Sequence, residues 1–325
     1  MAKKVLSLSP LPAEIVKLLI QQVPGVPDFE VIPGNEMSAE ELKKAFSEAD
    51  VVLGDYTFQK KITADVIAVT GNLKFIQQPG AGYQHIDVDA CTVRGIKLAN
   101  TGGANAVSVA EHTIAWGLYL LKNMLHAHIS TKSGGWEQMR IKPAELKGKV
   151  WGIVGFGRIG RAVAERLKAF QLSRILYFDT YRQVMSVEQD LGVEYAEMNT
   201  ILGQADIISL HAPLTDATSN MINEGSLNSM KQGAYLINVA RAELVDEKAL
   251  AEAIKKGKIA GAGIDVFSEE PVSMNNPLLG VESEKLLLSP HVAGVTDEAS
   301  MRIINMATAN IARVLKGESP ESLVN

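Results

Sequence analysis

Val150-Trp-Gly-Ile-Val154 is short, apolar and rich in β-branched residues, and it runs directly into Gly155, Gly157 and Gly160, three glycines at G-x-G-x-x-G spacing. A run of that character is a strand buried on both faces. Arg161 to Phe170 follows with its apolar residues at helical spacing. In a strand, glycine turn and helix, each glycine has its own role. Gly155 permits the tight turn, Gly157 lets a pyrophosphate approach the backbone, and Gly160 lets helix and strand pack closely. The N–H groups at the helix start, those of Arg158 and Ile159 among them, then meet phosphate oxygens at the positive end of the helix. A second strand, Ile175 to Phe178, ends in Asp179, nineteen residues beyond Gly160. An acid there accepts hydrogen bonds from an adenosine ribose and repels a 2'-phosphate, which predicts NAD in preference to NADP.

The alternation extends through the whole chain. Val5 to Leu8, Phe29 to Ile32, Val51 to Gly54 and Phe75 to Gln78 read as strands, with helices over Ala13 to Gln21, Ala39 to Ser47 and Thr63 to Val69 between them. Beyond the glycine turn, strands are expected at Asp206 to Leu210, Tyr235 to Val239, Ala262 to Val266 and Leu286 to Leu288, with a last helix over Asp297 to Leu315. The pattern predicts an α/β chain of two doubly wound parallel-sheet domains. A Rossmann NAD-binding domain over 101–293 is inserted in a discontinuous, flavodoxin-like domain made of 1–100 and 294–325. Asn105 to Met124 has apolar residues on nearly every helical face. Such a helix needs cover on all sides, which points to packing on its own domain and on a second subunit, a homodimer.

Composition narrows the partners. A formal charge of -5 over 325 residues offers neither nucleic acid nor an anionic membrane an attractive surface. Cys91 is the only cysteine, which excludes an intrachain disulfide and suits a reducing cytoplasm. The apolar run after the basic start stops at Pro10, too short for a signal peptide, and no stretch reaches the roughly eighteen apolar residues of a membrane span. The expectation is a cytoplasmic protein acting on a small molecule.

In open α/β sheets ligands bind beyond the carboxyl ends of the strands. Arg241, Asp265, Glu270 and His291 follow or end successive strands in the second half. Each alone is unremarkable; four on one rim predict a site beside the nicotinamide end of a dinucleotide.

Five motifs in order then carry a resemblance. They are the glycine turn, Leu210-His-Ala-Pro-Leu-Thr215, Asn238-Val-Ala-Arg241, Gly263-Ile-Asp-Val-Phe-Ser-Glu-Glu-Pro271 and Ser289-Pro-His-Val-Ala293. From about Leu73 onward the chain resembles the D-isomer-specific 2-hydroxyacid dehydrogenases. The resemblance implies Arg241, Glu270 and His291 as catalytic residues and Asp265 as a supporting acid. It sets His211, Pro213, Ala240, Asp265 and Ser108 close to the cofactor, Gly80, Ala81 and Gly82 against the substrate carboxylate, and Asn105 near substrate or nicotinamide. Ala242 departs from the family, where a glycine follows the arginine; a positive φ there would displace the arginine.

Residue chemistry agrees with that assignment. Reducing a 2-keto acid takes a hydride, a proton for the oxygen and a cation for the carboxylate. NADH carries the first, His291 the second, and the Arg241 fork the third. Glu270 holds the histidine ring, while Asp265 orients Arg241, tunes Glu270 or caps a loop. His112 reads as structural. His126 and His128, without an acid or cysteine beside them in sequence, read as solvated, and no metal is expected.

Competing readings are a formate dehydrogenase, which resembles a glutamine-histidine pair where this chain has Glu270 and His291, and an NAD-sensing corepressor-like binding protein. Within the dehydrogenases, glyoxylate or hydroxypyruvate reductase and phosphoglycerate dehydrogenase stay open. Asp55-Tyr-Thr-Phe58 holds no cation, and Tyr56 and Phe58 suit a neutral side chain on the keto acid.

Overall fold

The computed structural model describes residues 2–57 and 59–325. Phe58, expected at the substrate, lies outside them. The chain divides into two compact units, 1–105 with 297–325 and 106–296. These boundaries fall a few residues beyond 100/101 and 293/294.

The first unit carries β1 (Lys3–Ser7), β2 (Phe29–Pro33), β3 (Val51–Leu53), β4 (Phe75–Gln77) and β5 (Lys97–Ala99), all parallel and ordered β2-β1-β3-β4-β5. This is the flavodoxin-like order. Successive residues of each strand enter opposite cores. Leu6, Val52, Ile76 and Leu98 pack with Phe46, Ile62 and Ile67 on one face. Val5, Val51 and Phe75 pack with Val16, Ile20, Ile311 and Leu315 on the other. Burial on both faces is why these strands read as unbroken apolar runs. The second core is completed only by the last helix, Asp297–Lys316, which returns from the far end of the chain.

The second unit carries β6 (Val150–Val154), β7 (Arg174–Phe178), β8 (Glu194–Tyr195), β9 (Ile207–Leu210), β10 (Ala234–Asn238), β11 (Ile259–Ile264) and β12 (Leu286–Leu288). Its seven parallel strands run β12-β11-β10-β9-β6-β7-β8. Counted from β6 this is the Rossmann order, and the direction of winding reverses between β6 and β9. Trp151, Ile153, Tyr177 and Ile237 face one core, and Val154, Leu176, Ile208 and Leu236 the other.

The helix expected over Asn105 to Met124 is Ala106–Lys122, and a second helix, Met124–Lys132, follows it after Asn123 in a left-handed conformation at φ 51°. The first packs on β11, where a Cβ on Gly263 would stand 2.2 Å from Trp116 Cε3, so the absent side chain makes room for the indole. Val109, Ala110, Leu120 and Leu121 are buried, whereas Val107 and Tyr119 are exposed. Among the described residues no helix is long and apolar enough to cross a membrane.

Candidate active site

The glycine turn follows β6 at the reversal point. Gly155 has φ +90°, and a Cβ there would stand 2.4 Å from Ala212 N. A Cβ on Gly160 would stand 2.3 Å from Gly155 O, so helix Arg158–Leu167 touches the turn itself. Gly157, between them, has no atom within 4 Å of a Cβ position and opens onto free space at the helix start. Two glycines are pressed by protein and the middle one faces a void, the arrangement a pyrophosphate needs. The residues present therefore fit a dinucleotide.

Asp179 ends β7 beside this turn: its carboxylate accepts from Phe156 N at 2.6 Å and from Tyr181 N at 3.2 Å. On the other side His211 ends β9, with Nε2 3.0 Å from Ser209 Oγ and Nδ1 buried without a hydrogen-bond partner among the described residues. Burial pushes its pKa down to about 3, so the imidazole is neutral and acts as no acid near pH 7. Pro213 is exposed two residues on, and Ala240 is buried after β10. Ser108 is buried in the first turn of its helix and its hydroxyl pairs with Thr296 Oγ1 at 2.9 Å. Asn105 is half-buried just before that helix.

The remaining strand ends bring the expected chemical groups to the same edge of this sheet. After β10, Asn238 holds the turn by donating to Arg241 O at 2.8 Å and accepting from Ala240 N at 3.1 Å. Arg241 Nη1 donates to Ala240 O at 2.6 Å. Burial lowers the guanidinium pKa, with Glu243 and Glu270 opposing through space, yet an arginine stays charged. Ala242 opens a short 3-10 turn and is absent from the positive-φ residues, so the family departure puts no strain beside Arg241.

Beyond β12, His291 Nδ1 lies 2.8 Å from Glu270 Oε2, and no described residue hydrogen-bonds its Nε2. Both side chains are partly open to solvent. Glu270 Oε1 also accepts from Phe267 N at 3.1 Å, which fixes the carboxylate. His291 itself sits at φ +54°, a backbone strain that a rigid surround must hold.

Asp265 supplies that surround. Fully buried at the end of β11, its carboxylate accepts from Val292 N at 2.9 Å, Ala293 N at 2.8 Å and the Ser289 hydroxyl. His291 N donates to Asp265 O at 2.8 Å. Of the roles expected for Asp265, the loop cap is the one its hydrogen bonds describe; neither Arg241 nor Glu270 is among its partners. The Ser289 hydroxyl also lies 3.5 Å from Nε2 of half-buried His112, whose pKa burial lowers against the pull of Asp265.

One further support escaped the sequence. Glu247, first residue of helix Glu247–Lys255 and fixed there by the Asp246 cap, accepts from Ser268 N, Ser268 Oγ and Asn276 Nδ2 at 2.8–3.2 Å. It pins the loop bearing Glu270. His126 lies between Glu137 and Glu284, which raise its pKa, so it is not the isolated solvated histidine expected. His126 and His128, two residues apart on one helix, face different ways. Among the described residues no cluster of three metal-ligating side chains forms.

In the first unit, Gly80 has φ +92° and its N–H is taken by Thr101 Oγ1 at 2.7 Å, while Asn100 Nδ2 donates to Ala81 O at 3.0 Å. The N–H groups of Ala81 and Gly82 meet no acceptor among the described residues. Buried Asp55 gathers the N–H groups of Thr57, Gln59 and Lys60 at 2.8–3.0 Å and shapes the loop after β3.

A Rossmann sheet with arginine, glutamate and histidine on its carboxyl edge defines a class, the nicotinamide-dependent enzymes of hydride transfer. The family model for the D-isomer specific 2-hydroxyacid dehydrogenase NAD binding domain matches residues 114–293. A glyoxylate reductase of Thermofilum pendens is 41% identical over 293 residues, covering 89% of this chain and 85% of its own. A D-3-phosphoglycerate dehydrogenase of Archaeoglobus fulgidus is 36% identical over 99% of this chain, which spans 59% of that longer protein. The crystal structure of a glyoxylate reductase from Paecilomyes thermophila superposes with a TM-score of 0.88 at 26% identity, over 99% of this chain and 98% of that one. The chain belongs to the D-isomer specific 2-hydroxyacid dehydrogenases, NAD-dependent oxidoreductases.

Proposed function

We propose that the chain reduces a small, uncharged 2-keto acid of the glyoxylate or hydroxypyruvate kind to its D-2-hydroxy acid. The observation that carries this reading is the 2.8 Å pair of His291 Nδ1 with Glu270, which leaves Nε2 open as a proton donor on the sheet edge that also holds Arg241. NADH, bound along Gly155–Gly160 and Asp179, supplies the hydride. Arg241 takes the carboxylate with its fork of donors and polarises the adjoining carbonyl. His291 Nε2 passes its proton to the carbonyl oxygen as that oxygen gains charge, and takes one back in the oxidative direction. Glu270 keeps the ring in register, and Asp265 holds the His291 backbone.

Two features favour a neutral substrate over a phosphorylated one. Lys60, the nearest cation after Asp55-Tyr-Thr-Phe58, commits Nζ to Met37 O at 3.0 Å. Asp55 sets a carboxylate at the base of the same loop, where a phosphate would be repelled. We further propose a cytoplasmic homodimer, in line with the lone buried Cys91 and with the bare Val107 and Tyr119 on helix Ala106–Lys122.

The test is NADH oxidation against glyoxylate, hydroxypyruvate, pyruvate, bulkier keto acids and 3-phosphohydroxypyruvate, for wild type and His291→Ala. A neutral keto acid turns over fastest, and the variant loses about 10²-fold or more in kcat. Faster turnover of the phosphorylated acid overturns the substrate reading, and undiminished turnover by the variant overturns the role of His291.

A further inference from the structure

The loop that follows Asp179 reads Thr180-Tyr181-Arg182-Gln183, so a guanidinium sits three residues from the carboxylate assigned to the adenosine ribose. An arginine there is the usual means of binding a ribose 2'-phosphate. Here it is engaged elsewhere. Arg182 Nε and Nη2 form a two-pronged pair with Glu188 Oε1 and Oε2 at 2.9 and 3.0 Å, and its guanidinium lies 5.6 Å from the centroid of the Tyr195 ring.

Glu188 is itself tightly built in. Its side chain is 10% exposed, and Tyr177 Oη donates to Oε1 at 2.7 Å while accepting from Gln183 N at 2.9 Å. Tyr177 is wholly buried and stacks on Phe156, the residue between the first two glycines of the turn, at 4.1 Å. Burial and then Glu188 push the tyrosine hydroxyl up to about 12, so it remains a donor; Arg182 and then Tyr177 hold Glu188 below the usual carboxylate range, so it remains an anion. Arg161, on the helix that opens at the phosphates, also reaches this loop through Gln183 Oε1. The loop is therefore fastened to the glycine turn by a chain of contacts, Phe156, Tyr177, Glu188 and Arg182, in which the guanidinium is committed to Glu188.

We propose that Glu188 is a specificity-determining residue for the cofactor: by holding Arg182 in a two-pronged ion pair it withholds a guanidinium from a ribose 2'-phosphate and so reinforces discrimination against NADPH. The proposal rests on Asp179 facing the ribose. It deepens that reading, because Asp179 excludes the phosphate by repulsion whereas Glu188 excludes it by removing an attractive partner, two separable contributions to one preference.

The experiment measures binding rather than turnover. NADH, NADPH and adenosine 2',5'-bisphosphate are titrated into wild type, Glu188→Gln, Arg182→Met and the double variant, followed by calorimetry, with thermal melts as the folding control. Glu188→Gln keeps the shape of the side chain and removes its charge. It binds NADPH and the bisphosphate about 3- to 10-fold more tightly, the gain of one charge-assisted hydrogen bond at a partly exposed site, with NADH affinity within about twofold. Adding Arg182→Met to it abolishes the gain. Arg182→Met alone leaves NADPH affinity at the wild-type value, since its guanidinium is already withheld. The proposal is overturned if Glu188→Gln weakens both cofactors alike, which marks a purely structural role, or if Arg182→Met alone weakens NADPH, which shows the guanidinium already on the phosphate. Asp179→Asn with unchanged NADPH affinity overturns the ribose reading beneath it.

Discussion

His211 shows how one buried side chain sets a pH limit. Its pKa falls from an ordinary 6.5 to about 3 because the folded chain gives its imidazolium no solvent. The folded-state value is depressed, so the unfolded chain takes up a proton below about pH 6.5 that the folded chain refuses until about pH 3. Stability is therefore whole above the unfolded value and drains away as pH falls. His211→Asn should remove that share: between pH 6.5 and 5 the wild type should lose about 2 kcal/mol more unfolding free energy than the variant in denaturant titrations. Equal slopes would mean that His211 is solvated. His85 and His112, also lowered by burial, act in the same direction, and His126, raised by its two glutamates, acts against them. At this scale the sequence spoke unevenly. The placement of Arg241, Glu270 and His291 on one edge of the sheet was legible because each follows the end of a parallel strand. The part played by Asp265 was narrowed only to three, the loop cap among them, since a carboxylate that collects backbone N–H groups leaves no periodic or spacing signal. Glu247 was silent for the same reason, standing on a different helix well before Glu270 in the chain.

Elements were more legible than their boundaries. Strands buried on both faces announce themselves as β-branched runs, so β6 and β12 span the very residues expected. The short helix Val88–Val93 and the two-residue β8 carry too few periods to be seen. Helix Arg158–Leu167 begins earlier than its apolar pattern because it starts inside the glycine motif, where spacing serves the ligand and not the core. That division of labour separates two alanine substitutions. Gly160→Ala drives a methyl to 2.3 Å from Gly155 O, so it should lower the melting temperature by several degrees, a cost of roughly 1–3 kcal/mol for overpacking. Gly157→Ala meets open space and should melt within about 2 °C of wild type. Its cost should appear in NADH affinity, down about tenfold or more, because the methyl fills the room left for phosphate. Calorimetry and fluorescence titration of both variants decide it; a Gly157→Ala protein with native cofactor affinity would remove the pyrophosphate from this turn.

For the whole molecule, exposed apolar surface is the feature that calls for a partner. Val107, Tyr119, Met124, Ile129, Trp136 and Met139 are all exposed within one stretch of chain, Trp136 and Met139 at 82% and 88%. A monomer has little reason to leave so many large side chains in water. Trp136→Asp with Met139→Asp should convert a dimer, as measured by light scattering, into a monomer that still binds NADH; a wild type that is already monomeric at micromolar concentration would refute the assembly. Most of the apolar residues in the 105–124 segment serve the core of their own unit, so the all-round pattern read from the sequence is largely accounted for without a partner.

The return of helix Asp297–Lys316 to the first sheet bears on how the protein is made. On a ribosome strands β1 to β5 emerge before the inserted unit, but Ile311 and Leu315, which help to cover Val5, Val51 and Phe75, emerge after it. At about 5–20 residues per second, the nascent chain carries that apolar face without Ile311 and Leu315, and with Val16 and Ile20 already on it, for on the order of 10–40 s while the inserted unit is synthesised. The inserted unit has all of its strands in hand before then.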